Sequence, residues 1–214
     1  PGALRLGGSL TLGAASTIVA TGGTLEITGV LNLQTATLTL SPTTGNLVID
    51  SGTLLNGSLV QSGGARLIFS ASSQNYLDAI QLTGDLVLTN SNARARVLNG
   101  LTLTGGKVRL NANGAIGFEG SQTFGGEVLF EGDSGFVSID GTTTLTLATT
   151  ALVHGKTGRI GQAIFTGGTS TLLNQGTIRA DVSGGTLTVN PNAFTNSGTL
   201  QQINGGTLVA PGFP

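Results

Sequence analysis

The sequence repeats a short phrase that reads GDLVL at 84–88, GGKVRL at 105–110 and GGEVLF at 125–130. Each phrase starts with glycine and then places an apolar residue at every second position. Alternation with a period of two predicts a β-strand that turns one face towards a core. Leu86, Val108 and Val128 hold the first inward position of these phrases. We therefore expect their side chains to lie directly over one another in successive coils.

The same phrase recurs through nearly the whole chain, and its copies lie about 20 residues apart. The step from Leu145 to Leu187 is twice as long and is interpreted as two coils. The Asn-Gly phrases at 56–57 and 99–100 are interpreted as corners of the coil, so we expect the strands to stack in parallel. The sequence therefore predicts an all-β chain, a β-solenoid of about ten coils of roughly 20 residues. The predicted inward column is Leu25, Leu47, Leu67, Leu86, Val108, Val128, Leu145, Leu187 and Leu208.

Composition narrows the class of protein. Charged residues make up 9% of the 214 residues and glycine contributes 36, which favours a glycine-rich β structure. Gly, Thr, Ser or Asn interrupts every apolar run before the ~18 residues of a membrane span, so we expect none. A net charge of −1 gives no electrostatic basis for binding nucleic acid. With no cysteine and one histidine, the chain is expected to hold neither a metal nor a cofactor.

The residue before the first inward position points outward. In four successive coils it is charged, with alternating sign: Arg66, Asp85, Lys107 and Glu127. Stacked coils lie ~4.8 Å apart, a distance at which like charges would repel. A slip of one residue would move all these side chains to the other face of the strand. The alternation is interpreted as a charge ladder that fixes the register of the coils.

A second outward column contains three β-branched residues, Val48, Ile68 and Val87. Three neighbouring coils would thus expose apolar side chains on one face, and a contiguous apolar patch often marks a contact surface. Two alternatives stay open. A loop could fold over this face, or these residues could be present only for their β propensity.

One pair of acids suggests an enzyme. Glu119 in GFEG and Asp140 in SIDG occupy matching phrases about one coil apart. Their carboxylates would then lie about 5 Å apart, the separation used by retaining glycosidases. Such a site also needs a projecting loop, and the irregular stretch 148–166 is the candidate. The alternative is that both acids are solvent-exposed turn residues.

Threonine pairs raise a minor alternative. Thr-x-Thr occurs at 37–39, 102–104, 142–144 and 186–188. Flat, regular arrays of such pairs form the binding surface of several ice-binding solenoids. Here the pairs are scattered in register, and the ordinary β propensity of threonine is enough to account for them.

Residues 174–212 read NQGTIRADVSGGTLTVNPNAFTNSGTLQQINGGTLVAPG. This repeat pattern resembles the Gly-Thr-Leu repeats of bacterial autotransporter passengers and of filamentous-haemagglutinin-like adhesins. The resemblance implies a right-handed parallel β-helix, export, and an adhesive or stalk role. We therefore expect a structural rod, extracellular or at the cell surface, rather than an enzyme. Its expected partners are other copies of itself, or host or cell-surface glycans or proteins. The alternative is a β-helical glycoside hydrolase or lyase that uses Glu119 and Asp140.

Both ends of the sequence read as repeat, with ALRLGGSLTLG at 3–13 and GGTLVAPGFP at 205–214. Terminal coils of a solenoid expose unpaired strand edges unless a cap covers them. We therefore expect one solenoid domain over residues 1–214. It would be either a fragment of a longer repeat protein or a filament subunit that stacks end to end.

Overall fold

The computed structural model describes residues 2–13 and 18–213, and within these ranges the chain is all-β, as predicted. That part of the chain has no helix, and therefore none of the length and apolar character that crossing a membrane requires. The strands in chain order are β1 (Ala3–Leu6), β2 (Ser9–Thr11), β3 (Thr24–Ile27), β4 (Val30–Asn32), β5 (Thr37–Leu40), β6 (Asn46–Ile49), β7 (Thr53–Gln61), β8 (Leu67–Phe69), β9 (Tyr76–Thr83), β10 (Leu86–Leu88), β11 (Arg94–Thr104), β12 (Lys107–Leu110) and β13 (Gly114–Glu119). They continue as β14 (Gln122–Phe124), β15 (Glu127–Phe130), β16 (Gly135–Asp140), β17 (Thr144–Leu147), β18 (Leu152–Gly155), β19 (Gly158–Ile160), β20 (Thr171–Asn174), β21 (Thr177–Ala180), β22 (Thr186–Val189), β23 (Ala193–Asn196), β24 (Thr199–Gln202) and β25 (Thr207–Val209).

The strands form three walls, which the chain visits in the same order from β3 onward. The first wall consists of the sheet β1-β3-β6-β8 followed by the sheet β10-β12-β15-β18-β21-β24. The second wall is the sheet β2-β4-β7-β9-β11-β13-β16-β19-β22-β25. The third wall combines β5, the C-terminal halves of β7, β9 and β11, and the sheet β14-β17-β20-β23. The prediction of a parallel β-solenoid is confirmed, with about nine turns. Its right-handed sense stays a prediction.

The predicted inward column is present in the first wall. Leu86, Val108 and Val128 are direct partners in the parallel register, and all three are fully buried. Successive turns are about 22 residues long, slightly longer than predicted. The complete column is Leu4, Leu25, Leu47, Leu67, Leu86, Val108, Val128, Val153, Ile178 and Leu200.

The last three members of the predicted column are wrong. Leu145 lies in the third wall opposite Leu172, while Leu187 and Leu208 face each other in the second wall. Strands of all three walls bury alternate residues, so the same glycine and apolar phrase arises on each wall. The phrase marks an inward strand, but it does not identify the wall to which the strand belongs.

The main-chain ladder of the first wall is interrupted once. Within the described residues it stops at β8 and resumes at β10, and the side chain of Gln61 fills the gap. The Gln61 Oε1 accepts a hydrogen bond from the N–H of Leu67 at 2.9 Å, and its Nε2 donates to the carbonyl oxygen of Asp85 at 2.8 Å. One amide side chain therefore satisfies main-chain groups that a neighbouring strand would otherwise pair.

Corners of the coil depend on residues that accept unusual backbone angles. Asn56, Ala79 and Asn99 turn the chain between the second and third walls, and each has φ of +53°. Asparagine tolerates this left-handed region better than most residues, as the two Asn-Gly phrases suggest. At the corner before β12, successive coils approach so closely that a Cβ on Gly106 would lie 2.1 Å from the carbonyl oxygen of Gly84.

Candidate functional site

Two neighbouring strands of the second wall carry the predicted acid pair. Glu119 ends β13 and Asp140 ends β16, and the two residues are direct partners in the register. Both point outward, because the preceding positions, Phe118 and Ile139, are buried in the core. The repeat spacing therefore brings the two acids side by side, but their side chains have different surroundings.

The carboxylate of Asp140 is buried, with only 1% of the residue exposed. Its Oδ1 accepts hydrogen bonds from three successive main-chain N–H groups, at 3.1, 2.7 and 2.9 Å. These donors belong to Ile164, Phe165 and Thr166. Its Oδ2 accepts a hydrogen bond from the hydroxyl of Ser138 at 2.5 Å. Hydrogen bonds to an ionised acceptor are stronger than neutral ones, so Asp140 fastens a distant loop to the wall.

The loop that Asp140 fastens, residues 161–170, connects β19 to β20. The predicted irregular stretch 148–166 is partly wrong, because β18 and β19 occupy its middle. Both strands are too short for their alternation to be recognised between the surrounding glycines and threonines. The last residues of that stretch do belong to the loop, which lies beside the acid pair as an enzyme site would require.

An aromatic side chain of the loop packs against two arginines. The centre of the Phe165 ring lies 5.5 Å from Cζ of Arg94 and 5.4 Å from Cζ of Arg96. The guanidinium of Arg96 also lies 4.8 Å from the centre of the Tyr76 ring, so Arg96 contacts two rings. A Cβ on Gly117 would lie 2.6 Å from the Phe165 ring, and the glycine therefore leaves the space that the ring occupies. Such contacts are attractive because the quadrupole of an aromatic ring gives its faces a partial negative charge.

The other acid of the pair, Glu119, is held by Arg96. Glu119 forms an ion pair with Nε of Arg96, which is buried and donates from Nη1 to the carbonyl oxygen of Ser73 at 3.0 Å. One carboxylate thus binds the loop, and the other balances the charge of the arginine under the loop. This arrangement secures the loop to the wall and engages both carboxylates in contacts within the protein.

Three residues of this cluster were missed by sequence reasoning: Arg96, Ser138 and Phe165. Alternation shows that Arg96 and Ser138 point outward, but it does not show that a loop returns over them. One feature of the sequence could have identified part of this cluster. Arg96 lies one coil after Tyr76, and an outward cation above an outward aromatic ring favours a stacked pair.

The predicted charge ladder lies on the outer face of the first wall. Lys107 and Glu127 are direct partners and form an ion pair with Nζ and Oε1 2.5 Å apart. Asp85 accepts a hydrogen bond from the N–H of Lys107 at 3.0 Å. Arg66 is exposed and forms no ion pair in the part of the chain that the structure describes. It lies beyond the ladder gap filled by Gln61, so three of the four predicted members are brought together.

The ladder continues into a network that the sequence did not reveal. Glu127 Oε1 lies 3.1 Å from Nε2 of His154, whose Nδ1 lies 2.8 Å from Oδ2 of Asp181. Asp181 also pairs with Arg179 at 3.0 Å. In the first wall the turns before and after His154 are equally long, at 25 residues from Val128 to Val153 and from Val153 to Ile178, and this extra length obscured the register. A second branch joins Arg109 to Glu131 and to Asp85.

Charge partners shift two pKa values in this network. Burial acts to raise the pKa of Glu127, but hydrogen bonds and attraction from Lys107 and His154 outweigh it and lower this pKa below its usual value. The hydrogen bond to Glu131 raises the pKa of Arg109 despite partial burial, so its guanidinium stays charged. Both shifts favour the ionised forms, which hold successive coils together.

Glu127→Gln should remove stability that is present at neutral pH and lost in acid. Because the folded-state pKa of Glu127 is below 4.5, its contribution is complete above the unfolded-state pKa and disappears as the pH falls through the folded-state value. The gap in unfolding free energy between the two proteins should stay constant from pH 7 to about 5.5 and shrink below about 4.5. Urea unfolding at four pH values measures this gap. A gap that widens in acid would contradict the prediction.

Lys107→Glu should destabilise the chain more than Lys107→Ala. Alanine removes one half-exposed ion pair, which costs about 0.5 kcal/mol. Glutamate in addition places a like charge beside Glu127 and Asp85, and the total loss should reach about 1–1.5 kcal/mol. Thermal unfolding of both variants measures the difference. Equal melting temperatures would show that the alternation of charge in this column does not contribute to stability.

The predicted apolar column is also on the first wall. Val48 and Ile68 are direct partners, and Val87 follows them beyond the ladder gap. All three residues are half-buried, and charged residues flank the group, with Glu26 before it and Arg109 after it. A role in contacts with another molecule stays a prediction.

No protein-family model matches this chain, and comparisons with curated proteins and with solved structures found no match.

Proposed function

We propose that this chain is a rigid spacer, a rod that holds the groups attached to its two ends at a fixed distance. The inward column is fully buried from Leu25 to Ile178, and parallel ladders join each coil to the next. Bending such a stack would break hydrogen bonds along one wall and open its packed core. This continuous stacking of coils is the observation that carries the proposal.

The length of the spacer follows from its repeat. Ala3 and Thr199 occupy equivalent outward positions in the first and last coils of the first wall, and both are exposed. Nine spacings of ~4.8 Å place them about 43 Å apart. Because the sequence contains no cysteine, cysteines introduced at these positions would be the only labelling sites.

Single-molecule energy transfer between dyes at Ala3→Cys and Thr199→Cys tests the proposal. A rigid spacer should give one narrow distance distribution that does not change with urea until the chain unfolds. The pair Thr24→Cys and Thr199→Cys is the matched control and should read about 5 Å shorter, one coil spacing. A broad distribution, or a distance that drifts below the unfolding transition, would contradict a rigid rod.

We further propose that the rod works outside the cell or at its surface, where it adheres to other molecules or to other copies of itself. The absence of cysteine, the low charge and the resemblance of the repeats to surface adhesins support this location. Protease treatment of intact cells that make the protein should remove the signal of an antibody raised against the chain. A signal that disappears only after lysis would place the rod inside the cell.

A further inference from the structure

A shallow groove of about 400 Å³ lies on the outer face of the second wall, in its last coils. It is separate from the acid pair and from the charge network, and the spacer function does not use it. Ligand sites in proteins occupy roughly 300–1,000 Å³, so the groove is large enough for a small ligand. Its chemically distinctive lining residues are Ser134, Phe136, Thr157, Arg159, Thr186 and Thr188.

The groove contains a cation without a protein partner. Arg159 is exposed, and among the described residues its guanidinium forms no ion pair and no hydrogen bond. The one acid of the groove, Asp133, pairs with Lys156 at 2.6 Å. The uncompensated charge in the groove is therefore positive. A guanidinium binds carboxylates through two parallel hydrogen bonds, which favours an anionic ligand.

An aromatic ring lies next to this cation. Phe136 of β16 and Arg159 of β19 are direct partners in the register, and both point outward. The ring is half-buried and lines the groove. It offers an apolar surface beside the charge, as sites that stack a ring-shaped ligand do.

Hydroxyl groups line the rest of the groove. The Oγ of Ser134 accepts a hydrogen bond from the N–H of Asn113 at 3.0 Å, and Oγ1 of Thr157 accepts one from the N–H of Thr186 at 3.3 Å. Each of these hydroxyls still has its own hydrogen to donate. Side chains that both donate and accept suit a ligand that is rich in hydroxyl groups.

We propose that this groove binds a carboxylate-bearing sugar ring, with its carboxylate on Arg159, one face on Phe136 and its hydroxyls on the serine and threonines. A peptide is the weaker candidate. The groove lies over the face of a sheet, where β19 already pairs with β16 on one side and with β22 on the other. A peptide docked there would find no free strand edge for its main-chain amides.

Titration with sodium glucuronate, followed by amide shifts in two-dimensional NMR spectra, tests the proposal. Glucuronate should shift the amides of residues 134–136 and 157–159 and saturate at millimolar concentration. Methyl glucuronate, which is neutral, and glucose should bind at least tenfold more weakly. Arg159→Gln should lose the same tenfold or more, and Phe136→Leu should weaken binding several-fold. Arg5→Gln is the matched control, because it removes an exposed arginine in the first coil and should leave binding unchanged.

Three outcomes would overturn the proposal. Shifts that do not saturate, or that appear elsewhere on the chain, would exclude a site in this groove. Equal binding of glucose and glucuronate would exclude the role of the carboxylate. Equal or tighter binding of the capped peptide Ac-Gly-Glu-Gly-NH₂ would assign the groove to acidic peptides instead. Circular dichroism of each variant separates lost binding from lost folding. The energy-transfer test of the spacer is independent of all these outcomes.

Discussion

Phe130→Ala should lower the free energy of unfolding by about 3–5 kcal/mol. Phe130 lies at an inward position of β15 and is 1% exposed. Its ring fills space that two glycines of the second wall leave open: a Cβ on Gly135 or on Gly158 would lie 3.0 or 2.1 Å from ring atoms. Alanine would therefore leave a cavity between coils, and the walls cannot close it without breaking their ladders. Chemical denaturation measures the loss.

Two comparisons make this prediction specific. Leu129→Ala changes the neighbouring outward residue and should cost about 1 kcal/mol or less, because part of its side chain remains in water. Gly158→Ala should itself be strongly destabilising, whereas Gly167→Ala, with no atom within 4 Å of the new Cβ, should be nearly neutral. A loss of under about 1 kcal/mol for Phe130→Ala would mean that the layers are not packed as described.

Asp140→Ala should lower the free energy of unfolding by about 3 kcal/mol and release the loop over the second wall. The substitution deprives the N–H groups of Phe165 and Thr166 and the hydroxyl of Ser138 of their acceptor. The N–H of Ile164 keeps one acceptor, Oγ of Ser138 at 2.9 Å. Phe165 would then lose its fixed position over Arg94 and Arg96. Hydrogen exchange should accelerate at residues 164–166 by at least tenfold, while the core strands stay protected.

Asp140→Asn is the matched variant. The amide oxygen can still accept from the three N–H groups, and the amide nitrogen can donate to Ser138, so only the charge is lost. Its cost should be about half that of alanine, and its loop should stay protected from exchange. If both variants lose the loop equally, the negative charge is what holds it. If neither variant does, the loop is held by Phe165 and not by Asp140.

Much of the fold was predictable because burial imposes a local pattern. From Leu25 to Val128, each turn is close to the average length, and alternation alone aligns the strands of the first wall. The prediction failed where 25 residues separate Val128 from its partner Val153. Beyond that point the same phrase occurred on other walls, and periodicity could not distinguish one wall from another.

The candidate sites were predictable to the same extent. Adjacency of Glu119 and Asp140, and of Lys107 and Glu127, follows from a spacing of one coil. The surroundings of the acids do not follow from the coil spacing, because the loop that carries Phe165 returns over strands from earlier coils. Contacts of that kind depend on the path of an irregular segment, for which a period in the sequence gives no information.

The gap bridged by Gln61 affects how this chain can evolve. Main-chain hydrogen bonds between coils do not depend on which side chains the strands carry. Most coils of a repeat could therefore be duplicated or exchanged without loss of strand pairing. At this step two hydrogen bonds depend on one particular side chain and on its spacing to Leu67 and Asp85. A recombination event inside residues 61–85 would separate donor from acceptor, so this segment should be inherited as an indivisible module.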